Sequence, residues 1–175
     1  MMLATVCSRS PEALLSFTTN TATTLLPIST KRMKKQVLKY RNHKLPPLHE
    51  FIANVFKRSK LPPSVCLVSL IYLQRLKSCL PTHACGELDT PYRLFLAAIL
   101  TASKFLSETG TCLTSQAMVV MTDYVYTSKD INLMERSFLG LIKYNLFVNV
   151  EAIKEYLAIH GKTLEMDLIE DQDLD

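Results

Sequence analysis

RLFLAAILTASKF, residues 93–105, is the stretch that decides the fold. No charged side chain lies between Arg93 and Lys104, and Leu94 to Ser103 are apolar or small on every side. Pro91, just ahead of it, suits the first turn of a helix. A helix of this kind has no polar stripe to turn towards water, so it needs neighbours all round. It reads as the central rod of an all-α domain, with burial ending at Lys104. An up-down four-helix bundle would instead give each helix a polar stripe.

Working outward, the neighbours can be counted. After Pro46-Pro47, the residues Leu48, Phe51, Ile52, Val55 and Phe56 recur at helical spacing. Pro62-Pro63 opens a helix through Val65, Val68, Ile71, Tyr72 and Leu76 that stops before Pro81. Thr114 or Ser115 is placed to cap a helix that turns Ala117, Met118, Met121, Tyr124 and Val125 inward. Ser128 is placed to cap the next, with Asp130 in the first turn where the helix dipole favours an acid. Asn149 caps a last helix expected to end at Gly161. The expected architecture is a five-helix box with the buried helix at 91–106 at its centre, plus one C-terminal helix.

Residues 1–45 carry a different texture. FTTNTATTLLPIST shows no sustained apolar period, so this segment is expected to be disordered. The basic run KRMKKQVLKYRNHK reads as a nuclear address, a nucleic-acid arm or a solvated linker, and the few acids upstream also fit a mitochondrial presequence. Residues 46–147 form the helical body, and 148–175 a short helix with an acidic tail. Ser10-Pro11 and Thr90-Pro91 have the minimal form of proline-directed phosphorylation sites, although Thr90-Pro91 is better read as a helix start.

The charge distribution limits the partners. Residues 1–44 hold eight Lys/Arg against Glu12 alone, and residues 165–175 hold six acids and no base, so the body is near balance. A nucleic-acid-binding domain carries its positive charge on the folded body, so direct nucleic-acid binding is not expected. No apolar run approaches the ~20 residues of a membrane span, and no signal-peptide core is visible. An odd set of cysteines at irregular spacing (Cys7, Cys66, Cys79, Cys85, Cys112) argues for reduced thiols inside a cell. Cys79, His83 and Cys85 share a loop, but a structural zinc needs four ligands, so no metal is expected. Four glycines scattered singly make no phosphate-cradling loop. With no paired carboxylates or Ser/His/Asp grouping on one face, neither catalysis nor a cofactor is expected.

One charge interrupts an apolar face. On the helix SKDINLMERSFLGLIKYNLFV, at ~100° per residue, Met134, Phe138, Leu141, Ile142 and Asn145 fall on the inward face. Glu135 lies at its edge, in a ridge with Leu139 and Leu146. A half-buried charge is costly without a partner. Either Glu135 pairs with Lys104 where the core helix emerges, or both side chains snorkel to water.

LAAILTASKF resembles the third helix of the cyclin box, a run of small and apolar residues ending in Ala-Ser-Lys-Phe or Tyr. NLMERSFLGLIKYNLFV resembles the fifth helix of that box, and the two motifs stand in order at the expected separation, within a likeness over about residues 46–147. The likeness is strongest to the small fungal Pcl-type cyclins, which partner the kinase of the phosphate-signalling system. The resemblance implies a non-enzymatic, activating subunit of a cyclin-dependent protein kinase, in cell-cycle or nutrient signalling, in nucleus and cytoplasm. It also implies that Lys104 and Glu135 hold the backbone of the kinase αC helix, and that Phe105, Leu139 and Leu146 pack on the same helix. Two departures stand out. The first helix reads LHEFIANVF without the arginine of the usual substrate-docking motif, and its aspartate partner is replaced by Gln74. A single box is expected, which separates the chain from the two-box, nucleic-acid-binding cyclin-fold transcription modules.

Overall fold

The computed structural model describes residues 5–29, 45–107 and 112–169. The basic run 31–44 and the last six residues lie outside them. Among the described residues, seven helices and one two-stranded ribbon form the fold, in the order β1 (Thr5–Ser8), α1 (Pro11–Thr24), α2 (Leu48–Ser59), α3 (Pro63–Cys79), α4 (Thr90–Leu106), α5 (Ser115–Met121), α6 (Ser128–Leu141), α7 (Val150–Leu164) and β2 (Met166–Ile169).

Helix α4 is buried without a break from Phe95 to Ser103, as its sequence demands. It is not the only rod. Helix α3 is buried without a break from Val65 through Leu73 as well. The cover it needs comes from α1, in the segment expected to be disordered, which packs against α2, α3, α4 and α7. Leu14, Thr18 and Ala22 make its buried stripe, continued by Leu25. Five threonines hid this helix: Thr18, Thr19, Thr21, Thr23 and Thr24 each donate their hydroxyl to the carbonyl four residues back at 2.8 Å. Such back-bonding lets a residue of modest helix propensity sit inside a helix, even on its buried side.

The ribbon is a second departure. β1 and β2 pair antiparallel, Thr5 opposite Ile169 and Ser8 opposite Met166. Met166 to Ile169, the start of the acidic tail, therefore form a strand, with Val6 and Met166 buried beneath the ribbon and Asp167 paired to Arg9. Gly161 does not end α7. The helix runs on to Leu164 and is closed by Glu165 in a left-handed conformation. Gly161 is instead a point of close approach, where a Cβ would come 3.1 Å from the Met166 carbonyl.

The entry signals largely hold. Thr114 caps α5 and Asn149 caps α7, each accepting from the backbone amide three residues on. Helix α6 starts one residue early: Thr127, not Ser128, is its cap, in a capping box with Asp130.

Candidate functional site

Lys104 stands in the last turn of α4, where a cation also suits the dipole. The side chains up to Ser103 are sealed, and Lys104 and Phe105 are the first to open to solvent. Ser103 shows how tightly the seal is made, since its buried hydroxyl accepts from the Leu113 amide at 2.9 Å and pins the returning chain.

Helix α6 packs on α4 through Ile131, Met134 and Phe138. That orientation sets Glu135 at the edge of the contact, with 17% of its side chain exposed. Lys104 Nζ donates to Glu135 Oε2 at 2.8 Å and to Oε1 at 3.1 Å. Two charges 31 residues apart in the chain thus share one rim, and pairing, rather than snorkelling, is what the structure brings about. With the lysine side chain 38% exposed, such a pair adds only about 0.2–1 kcal/mol to stability. Its energetic interest lies in what it can offer a partner: an ammonium and a carboxylate held at known positions beside apolar surface.

That surface includes Phe105, 43% exposed, and Leu139, half-buried one turn beyond Glu135. Leu146 is also half-buried but does not lie on the helix. Helix α6 ends at Leu141, and the chain turns through Lys143 and Tyr144, both at positive φ. The Tyr144 amide donates to the Leu139 carbonyl at 2.9 Å, so the turn is tied to the ridge. This early end corrects the inward assignment of Asn145, which is exposed, and Leu141, on the last helical position, is also 44% exposed rather than inward. A helical wheel run past the end of the helix misplaces whatever follows.

The turn carries groups the sequence did not announce. Tyr144 is 66% and Phe147 58% exposed. From below, α3 supplies Tyr72 and Arg75. Tyr72 donates its hydroxyl to the Leu146 carbonyl at 2.7 Å, and Arg75 donates to the carbonyls of Asn145 at 2.7 Å and Phe147 at 2.9 Å. Neither residue stood out, because Tyr72 fits an apolar period and Arg75 looks like any arginine on a helix. Burial pushes the Tyr72 phenol up to about 12, against a smaller opposing pull from Arg75.

The same device occurs after α5. Asp123 and Tyr124 take positive φ, and Arg58 of α2 donates to the carbonyls of Val120 and Met121 and pairs with Asp123 at 2.9 Å.

Among the described residues, no three His, Cys, Asp or Glu side chains stand together as a metal site, and no helix is long and apolar enough to cross a membrane.

Comparison with known proteins identifies the family. The chain is 32% identical over 130 residues to PHO85 cyclin-1 of Saccharomyces cerevisiae, covering 74% of this chain and 46% of that protein. It is 24% identical over 106 residues to PHO85 cyclin-2 of the same organism, 61% of this chain and 34% of the relative. Cyclin-U2-2 of Arabidopsis thaliana is 27% identical over 131 residues, 75% of this chain and 55% of the relative. The chain therefore spans about half the length, or less, of these curated relatives. The family model for the cyclin N-terminal domain matches residues 15–147, which begins inside α1 and ends on the turn after α6. With both helices of the rim inside that match, the chain belongs to the cyclin family.

Proposed function

We propose that this protein is the regulatory, non-catalytic subunit of a cyclin-dependent protein kinase, and that it docks through the rim formed by Lys104, Phe105, Glu135, Leu139 and Leu146. The observation that carries the reading is the Lys104–Glu135 pair at 2.8 Å, accessible at the edge of an apolar ridge. The kinase we propose is of the PHO85 type, after the names of the yeast relatives; a role in phosphate signalling, in nucleus and cytoplasm, is part of the same proposal.

The mechanism is conformational. A protein kinase orients ATP with a lysine–glutamate ion pair between its third strand and its αC helix. A surface that binds αC only in its inward position shifts the kinase population towards that state by its differential affinity. Lys104 offers N–H donors for carbonyls at the end of αC, Glu135 accepts from its amides, and the apolar side chains cover its flank. Moving the kinase from 1:99 to 99:1 needs ~5.5 kcal/mol of differential binding, within reach of a hydrophobic interface with a few polar anchors.

Co-purification tests this directly. Lys104→Ala and Glu135→Ala should fold yet lose the kinase from a pull-down of the full chain. Retention of the kinase at wild-type levels by both variants would remove the reading.

A further inference from the structure

The turn 144–147 is held more firmly than a connection between two helices requires. Three consecutive carbonyls, Asn145, Leu146 and Phe147, are captured from beneath by two side chains one turn apart on α3. Tyr72 is fully buried, and Arg75 stacks its guanidinium 5.9 Å from the centre of the Tyr72 ring. On the far side, Val148 is buried and anchors the exit. The entry is a pair of non-glycine residues at φ 54° and 55°, a conformation that side chains adopt rarely and that persists only where its surroundings impose it. The outcome is that Phe147 faces water with 58% of its surface. Exposed apolar side chains grouped in a patch mark a contact surface, and here Tyr144 and Phe147 stand together on one turn, held by a buried phenol and a half-buried guanidinium.

From this geometry we infer that Tyr72 and Arg75 are positioning residues that hold residues 144–147 as a preformed aromatic shelf, and that Phe147 is a direct contact for the kinase. The inference rests on the docking reading above and extends that surface. The shelf continues the ridge through the Tyr144–Leu139 hydrogen bond, so its occupant is an apolar side of the same kinase, adjoining αC. Backbone carbonyls set by Tyr72 and Arg75 fix the direction in which Phe147 projects. A side chain ordered in advance loses less freedom on binding.

The test is a double-mutant cycle in binding, using the full chain and yeast PHO85, the kinase after which the relatives are named. Phe147→Ala should weaken affinity about tenfold with an unchanged melting temperature. Arg75→Gln and Tyr72→Phe should weaken it as well, and Arg75→Lys, which retains a donor, should recover part of the loss. The decisive arm is the combination: on Arg75→Gln, Phe147→Ala should cost less than about twofold, because the side chain is no longer aimed. Additive losses would show that the clamp serves stability alone and would overturn the positioning role. Unchanged affinity in Phe147→Ala would overturn the shelf. If Arg75→Gln fails to fold, Tyr72→Phe, which removes a single oxygen, takes its place in the cycle. Lys104→Ala is run alongside. Full binding by that variant would count against the docking reading itself, whereas loss there with no effect at Phe147 would sink only the inference.

Discussion

Exchanging the two charges of the rim separates what they do for the fold from what they do for a partner. Lys104→Glu and Glu135→Lys each replace an attraction at 2.8 Å with a repulsion. In water-like surroundings two unit charges at this distance interact by about 1.5 kcal/mol. An exposed pair realises a net of about 0.2–1 kcal/mol, so each single reversal, which turns that gain into a like-sized penalty, should cost about 0.4–2 kcal/mol. For a chain of this size the upper figure lowers the melting temperature by about 4–8 °C. The double variant restores the pair with its ends exchanged and should return to within about 0.5 kcal/mol of the wild type. Binding should behave differently. The kinase helix presents its donors and acceptors in a fixed order, so the exchanged pair meets it with a carboxylate where an ammonium belongs. Loss of a buried, hydrogen-bonded charge contact costs about 2–5 kcal/mol, which is about 30-fold or more in affinity. Thermal melts of the four proteins, with affinities for the kinase measured in parallel, give both readouts. A double variant that stays destabilised would refute the simple pair, and one that binds like the wild type would refute the polar reading of the rim.

Three further expectations follow from the packing. Leu14→Ala, in the helix nearest the N-terminus, should cost about 2–3 kcal/mol in urea denaturation; a loss below about 0.5 kcal/mol would show that α1 is not part of the cooperative core. Gly140→Ala should stabilise by about 0.5–1 kcal/mol, since Gly140 is helical and a Cβ there meets nothing within 4 Å; a lower melting temperature would contradict this. Alkaline pH should unfold the protein early. Burial raises the Cys66 thiol from 9.0 to about 12 and the Tyr72 phenol from 10.0 to about 12, so the folded state keeps protons that the unfolded chain gives up. The stability these groups contribute is fully present below about pH 9 and is lost as pH climbs towards 12. Urea midpoints should be flat from pH 7 to 9 and fall above it, and Cys66→Ala should move the onset towards pH 10; a midpoint unchanged at pH 11 would contradict the shifts.

Local rules carried much of the fold. Proline pairs, Thr114, Asn149 and Asp130 act within a turn of where they stand, so the helix starts could be read directly. The continuous apolar character of residues 94–103 made burial of α4 unavoidable. The Lys104–Glu135 pair could be proposed because an unpaired charge on an apolar face is costly, although spacing alone left solvent as an alternative. Other features depend on contacts distant in sequence. Threonines dispersed the apolar period of α1, and only their hydroxyl bonds to the preceding turn explain how they fit. The pairing of Thr5–Ser8 with Met166–Ile169 leaves no mark in either segment. The grip of Tyr72 and Arg75 on three carbonyls was equally silent, because backbone acceptors are the same at every position.

The ribbon brings the two flanks of the domain to a single pole. Thr5 and Ile169 lie opposite one another, so any polypeptide joined ahead of one or behind the other departs from the same spot. A donor and an acceptor dye placed on those flanks would report opening of the ribbon by loss of energy transfer. The same pole is also where a single tether could gather both ends without straining the helices between them.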